Sequence, residues 1–273
     1  MIQWSHYYIG GIHVSKNIIF CYSGGGNCLN IAKNIAEKLG DTDIVMMRKA
    51  PVVTDARGAE RVGFVFPCYA GGLPGHVEEY VRTLQLDSGS YKFAVASYAG
   101  YPGIGLSVID SIVGLDNWTG ISHQSACIWL MPHTLMLPPL SAEEAQTRSE
   151  RLAFLFAGKV QRKERREGKP GAPAFNKVEA KAWPLLCGKK AAKLQVNDNC
   201  IGCGQCVRLC PRGNIQLVDG KPSFGKDCIG CLGCLQYCPK AAIHMGGPTV
   251  KRERWHNPHV SAAELTHDVI HID

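Results

Sequence analysis

No stretch of the 273-residue chain reaches the roughly 18 consecutive apolar residues of a membrane-spanning helix, so no span is expected. The first residues, Met1-Ile2-Gln3-Trp4-Ser5-His6, lack the basic flank and continuous apolar stretch of a secretory leader, which makes export unexpected and the cytoplasm the expected location. The glycine-rich loop Ser23 to Cys28 is not followed by Gly-Lys-Ser/Thr, which excludes a Walker loop, and its length and spacing exclude a dinucleotide fingerprint. No residue triad for nucleophilic chemistry presents itself, and no paired carboxylates stand in the predicted loops. Any catalysis would therefore have to come from a bound cofactor. The basic run Lys159 to Lys169 has no aromatic interleaving and no nucleic-acid motif beside it, so nucleic acid is not an expected partner.

Cysteine is what the chain does have, 13 in all. Eight of them fall in two near-copies of one pattern, Cys200-Ile201-Gly202-Cys203-Gly204-Gln205-Cys206-Val207-Arg208-Leu209-Cys210-Pro211 and Cys228-Ile229-Gly230-Cys231-Leu232-Gly233-Cys234-Leu235-Gln236-Tyr237-Cys238-Pro239, which start 28 residues apart. Three cysteines at i, i+3 and i+6 wrap one turn around a [4Fe-4S] cube, while the fourth, before proline, ligates the other cube. The spacing predicts two clusters, one on Cys200, Cys203, Cys206 and Cys238, the other on Cys228, Cys231, Cys234 and Cys210. Zinc prefers two separated Cys-x-x-Cys pairs, and a disulfide framework shows no repeated triplet. Arg212-Gly213-Asn214-Ile215 and Lys240-Ala241-Ala242-Ile243 match as well, so a duplicated unit with pseudo-two-fold symmetry is expected. Residues 196 to 245 resemble a bacterial-type 2[4Fe-4S] ferredoxin.

The chain is about five times longer than such a unit needs, which leaves room for a second domain on its N-terminal side. A composition 45% hydrophobic with 30 glycines is that of a globular α/β protein. The apolar run Ile18 to Tyr22 reads as a buried parallel strand and ends in Ser23-Gly24-Gly25-Gly26-Asn27-Cys28. A helix follows, its apolar face marked by Leu29, Ile31, Ala32, Ile35, Ala36 and Leu39, with Gly40 at its stop. Strand, glycine loop and helix in this order make an anion site, because backbone amides and the helix N-terminus converge on a phosphate. Further strands are predicted at 43–48, 61–66, 93–98 and 125–130, which suggests a doubly wound, five-stranded parallel sheet. Ligands of such sheets lie at the carboxyl ends of the strands. The loops Pro67-Cys68-Tyr69-Ala70-Gly71-Gly72 and Tyr98-Ala99-Gly100-Tyr101-Pro102-Gly103 should therefore meet the first loop, one holding a phosphate end and the others a flat ring. Cys28 at a helix N-terminus invites a lowered pKa, although packing of a small residue is the better reading. Cys21, Cys127 and Cys187 read as buried or incidental thiols.

These three loops resemble those of flavodoxin, which bind FMN. With the cysteine segment and the ending Arg254-Trp255-His256-Asn257-Pro258-His259, the chain is similar to the fused flavodoxin-ferredoxin family of anaerobes along nearly its whole length. The resemblance implies a flavodoxin-like domain over 1–167, a linker over 168–193, a ferredoxin domain over 194–247 and a tail over 248–273. Its cofactors would be FMN and two [4Fe-4S] clusters. One departure stands out: the family's phosphate loop carries hydroxyl residues where this chain has Gly25 and Cys28.

Ser141-Ala142-Glu143-Glu144 has the form of a capping box and should open a long helix through about residue 166, ended by Gly168 to Pro173. The net charge of +7 is localised: residues 148–193 hold 13 Lys or Arg against 4 Glu, so the remainder is slightly negative. Two readings of that segment stand, a solvated helix face or a dock for an acidic redox protein. The tail histidines His256, His259, His267 and His271 fit no familiar metal spacing and read as solvated or packing residues. The function expected is electron transfer between FMN, two clusters and an external low-potential partner. The rivals are an FMN-dependent reductase of a small molecule and an iron-sulfur sensor or assembly factor. A homodimer that brings the flavin of one chain to the clusters of another is compatible with the sequence.

Overall fold

The computed structural model describes residues 8–9, 12–13, 15–48, 51–123, 140–246, 248–251 and 254–273. A short hairpin of Tyr8–Ile9 (β1) and Ile12–His13 (β2) precedes β3 (Asn17–Cys21), α1 (Asn27–Leu39), β4 (Thr42–Met46), β5 (Arg61–Pro67), α2 (Gly75–Val81), β6 (Tyr91–Tyr98), α3 (Gly105–Val113) and β7 (Asn117–Ser122). Five of these strands run parallel in the order β4-β3-β5-β6-β7. In chain order that is 2-1-3-4-5, the flavodoxin-like doubly wound topology. Both faces are covered by helices, so Ile18 to Cys21 of β3 read as an unbroken apolar run and every residue of the strand is buried. The face of α1 expected from the sequence is the buried one: Leu29, Ile31, Ala32, Ile35 and Ala36 are shielded, and the Gly40 N–H bonds to the Ala36 carbonyl at 2.8 Å.

The fifth strand was expected at 125–130, which lies outside the described residues, as does Cys127. The fifth parallel strand of the structure is β7, eight residues earlier. A sixth strand, β12 (Val269–Ile272), comes from the C-terminus and pairs antiparallel with β4, so the tail returns to the sheet edge.

The capping box opens α4 (Ala142–Gln161): the Glu144 N–H donates to Ser141 Oγ at 3.1 Å and the Ser141 N–H to Glu144 Oε2 at 2.9 Å. The helix stops short of residue 166. Lys163 is left-handed (φ 53°), and the Arg166 N–H bonds to the Asp116 carbonyl while its guanidinium lies over the Trp118 ring. Arg61, buried at the start of β5, donates to the Val160 and Gln161 carbonyls and so ties down the C-terminal end of α4. Three cations of the basic segment are paired within the chain, Lys163 with Glu60, Arg162 with Glu164 and Arg165 with Asp116, which favours the solvated-face reading for that part. The stretch expected as a linker contains α5 (Ala174–Ala191).

The cysteine-rich unit comprises β8 (Gln195–Val196), α6 (Gln205–Leu209), β9 (Ile215–Val218), β10 (Lys221–Phe224), α7 (Gly233–Gln236) and β11 (Ile243–His244), with β8 paired to β11 and β9 to β10. Its duplication reaches the backbone. Left-handed residues recur 28 positions apart: Gly202 and Gly230, Gly204 and Leu232, Gly213 and Ala241. Leu232 and Ala241 adopt that conformation without being glycine because the repeated turn requires it. The Asn214 N–H approaches Cys210 Sγ at 3.3 Å, and the Ala242 N–H approaches Cys238 Sγ at 3.2 Å. Leu209 and Tyr237 of this unit join the apolar core beneath α1. Arg48 spans the junction, donating to the Arg208 carbonyl at 2.5 Å and the Leu265 carbonyl at 3.1 Å. Among the described residues, no helix is long and apolar enough to cross a membrane.

Candidate functional site

A cleft of about 200 Å³ lies at the carboxyl ends of β3, β5 and β6. The first loop contributes Ser23, Gly24, Gly25, Asn27 and Cys28, the second Pro67, Cys68, Tyr69 and Ala70, and the third Tyr98 and Ala99. The remaining expected residues stand behind this lining. Gly26 (φ 94°) is the N-cap of α1. Gly71 and Gly72 are covered by α5: a Cβ at Gly71 would lie 2.9 Å from Glu179 Oε2, and one at Gly72 3.1 Å from Ala180 Cβ. Tyr101 donates a short hydrogen bond to Glu179 and meets the Phe175 ring. Gly103 packs on the Gly71 carbonyl, and Gly100 is exposed.

The phosphate end passes a simple chemical test. No side chain caps α1 and no acidic residue stands in its first turn, so its leading amides are left to a ligand, and Asn27 and Cys28 at its start line the cleft. The lowered pKa that position could give Cys28 is not found; burial pushes the thiol up. Cys68 is likewise pushed up to about 12 by burial. Both therefore stay protonated and packed. Buried His123 also lines the cleft; burial lowers its pKa, and its Nε2 lies 3.3 Å from Gln146 Oε1.

Eight cysteines surround two further cavities, four at each. Cys200, Cys203, Cys206 and Cys238 line one. Cys210, Cys228, Cys231 and Cys234 line the other. These are the crossed sets expected from the spacing. Among the described residues, no three His, Cys, Asp or Glu side chains close on a single metal ion. Burial pushes Cys231 up to about 11 and raises Cys234 as well.

The cleft and the second cysteine cavity share a wall, Cys231 and Leu232. At Gly24 a Cβ would lie 2.9 Å from Cys231 Cβ and 2.8 Å from Tyr69 Oη, so the first loop touches the cysteine turn with no space between. Beneath that contact the His76 ring stands edge-on to Tyr22 at 4.2 Å, and burial lowers its pKa to about 3, so it remains neutral. Of the thiols read as incidental, Cys21 is buried in the sheet and Cys187 donates to the Cys228 carbonyl at 3.2 Å. Trp183, Gln236 and Trp255 also line the cleft, and the sequence had not marked them as site residues. The one signal was the apolar character of α5; nothing local indicated that the tail would return here.

Residues 199–243 match the family of 4Fe-4S dicluster domains. No curated protein matches the chain. Among solved structures, the azoreductase from Bacillus anthracis str. Sterne is 12% identical, covering 52% of this chain and 99% of its own, with a TM-score of 0.36. A flavoprotein in complex with FMN from Lactobacillus acidophilus NCFM is 13% identical, covering 40% and 93%, with a TM-score of 0.31. Rubredoxin oxygen:oxidoreductase from the anaerobe Desulfovibrio gigas is 15% identical, covering 54% and 37%, with a TM-score of 0.31. The fold assignment rests on the strand order instead. Residues 199–243 are thus a 4Fe-4S dicluster-type segment packed on a flavodoxin-like unit, an arrangement that fits a fused flavodoxin-ferredoxin.

Proposed function

We propose that this chain is a cytoplasmic electron-transfer flavoprotein that joins two [4Fe-4S] clusters to one FMN and couples one-electron to two-electron steps. The observation that carries this reading is the wall of Cys231 and Leu232 shared by the cleft and the second cysteine cavity. Cys200, Cys203, Cys206 and Cys238 would hold the first cluster, and Cys210, Cys228, Cys231 and Cys234 the second. Ser23, Gly24, Gly25 and Asn27 would hold the flavin phosphate with the amides of α1; Tyr69, Ala70, Tyr98 and Ala99 would flank the ring. When bound, the flavin supplies one- and two-electron exchange and each cube supplies one-electron exchange.

The polypeptide contributes order and insulation. Cys203 is exposed, so the first set would be the one within reach of an outside redox protein, whereas Cys231 lines the cleft. Both sets and the cleft belong to one chain, so no second copy is needed to bring them together. The reductase alternative needs an open ring face along loops 67–72 and 98–103. Trp183, Leu232 and Trp255 in the cleft wall stand beside that face and favour the carrier. An anaerobic redox titration with iron and flavin analysis on the same sample tests the reading. About eight irons and one FMN per chain, all reducible, are expected; absence of FMN, or iron well below two cubes, would sink it.

A further inference from the structure

The loop Ser23 to Asn27 is clasped from two sides. On one side is the cysteine turn: a Cβ at Gly24 would lie 2.9 Å from the Cys231 carbonyl oxygen, and one at Gly233 would lie 3.0 Å from the Gly24 carbonyl oxygen. On the other side is the tail. The Asn257 N–H donates to the Gly25 carbonyl at 2.8 Å, and Asn257 Nδ2 donates to Asn27 Oδ1 at 3.1 Å and Gln146 Oε1 at 2.7 Å. Asn257 is 1% exposed. The tail is tied in turn to the helix that follows Cys231. The Trp255 N–H donates to Gln236 Oε1 at 2.8 Å, the Tyr237 hydroxyl to the Val260 carbonyl at 3.2 Å, and the Tyr237 and His256 rings stack at 4.4 Å. Trp255 itself reaches the cleft.

We infer that the segment Trp255 to Val260 is part of the flavin site, and that with the Cys231–Gly233 turn it locks the phosphate loop, so that FMN and the second cluster bind with positive coupling. This rests on the function proposed above. Three consecutive glycines have a large entropy to lose when their amides are aimed at a phosphate. Gly25 and Cys28 supply no hydroxyl donor, so binding depends on how far the amides are arranged beforehand. That arrangement comes from contacts with a turn that iron holds and a tail the turn holds. Linkage is reciprocal: whatever the second cluster does for FMN affinity, FMN does for that cluster.

The test uses the wild-type chain, loaded with iron and sulfide under anaerobic conditions and challenged with a ferrous chelator, with and without FMN. FMN is expected to slow release of half the iron by about tenfold, within the usual range of coupling, and to leave the other half unchanged. FMN titrated into chelator-stripped protein is expected to bind about tenfold more weakly than into loaded protein. Equal FMN affinity in both forms with unaltered iron release overturns the coupling and leaves the FMN reading standing. No FMN binding in either form overturns both. Asn257→Ala is expected to erase the difference between loaded and stripped protein, and the wild-type release rates decide the matter even if that variant does not fold.

Discussion

Alanine scanning of the phosphate loop separates contact from mere flexibility. Gly24 and Gly25 are neighbours, and neither has the left-handed φ that would bar alanine on backbone grounds. Their surroundings differ: a methyl at Gly24 would meet Tyr69 Oη at 2.8 Å and the Cβ and carbonyl oxygen of Cys231 at 2.9 Å, whereas one at Gly25 meets nothing within 4 Å. Two of the three obstacles at Gly24 belong to the cysteine turn, close to its backbone, so they cannot swing aside as the end of a side chain could. Overpacking of this kind costs about 1–3 kcal/mol. For a chain of this size, that lowers Tm by roughly 2–12 °C. Gly25→Ala should stay within about 0.5 kcal/mol of wild type. Thermal unfolding of the two full-length variants, followed by circular dichroism, gives the comparison. Equal shifts, or a neutral Gly24→Ala, would mean that the loop and the cysteine turn are not pressed together, and the shared wall would lose its basis.

Ser141→Ala removes the capping box of α4 and should cost about 1 kcal/mol, read as a Tm decrease of roughly 2–4 °C; no change would show that the helix end is held by other contacts. His271 sits 2.8 Å from Asp43 and 3.3 Å from Asp273, and the hydrogen bond to Asp43 raises its pKa. A raised folded pKa means that its contribution is complete below the ordinary histidine value of about 6.5 and is lost as pH climbs through the raised value. Amide exchange in β12 should therefore quicken as pH rises above about 6.5, beyond the intrinsic base catalysis, and His271→Gln should remove the excess. Gly25→Ser places a hydroxyl where there is room for one, and a hydrogen bond to a charged phosphate is worth about 1.5–3 kcal/mol. FMN should bind roughly 10- to 100-fold more tightly in a fluorescence titration; an unchanged Kd would place the phosphate elsewhere.

Local signals carried most of what was legible in the sequence. The run Ile18 to Tyr22 announced a strand buried on both faces, and the glycines after it announced the turn into α1. The cysteine repeat announced a duplication that extends to paired left-handed residues such as Gly202 and Gly230. β7 was missed because Asn117, Thr119 and Gly120 break the apolar pattern; Gly120 is kept small by the Tyr98 ring, a tertiary constraint with no local trace. The tail was read as an appendage, although β12 closes the sheet edge and Asn257 pins the phosphate loop. Both contacts join residues more than 200 positions apart, and no periodicity or spacing encodes such a meeting. α5 differs: its stretch reads in sequence as a linker that packs partly on the N-terminal unit through Phe175, Trp183, Leu185 and Leu186, and what the sequence does not indicate is the contact with Gly71 and Gly72.

The central claim is that the cluster held by the Cys231 set passes electrons to the flavin within one chain. Its most direct test is the rate at which flavin is reduced after a rapid pulse of reductant to the clusters, measured anaerobically over a hundredfold range of protein concentration. A single first-order rate, unchanged with dilution and lost in Cys231→Ala while FMN remains bound, is the predicted result. A rate proportional to protein concentration, or one that survives Cys231→Ala unaltered, would contradict it.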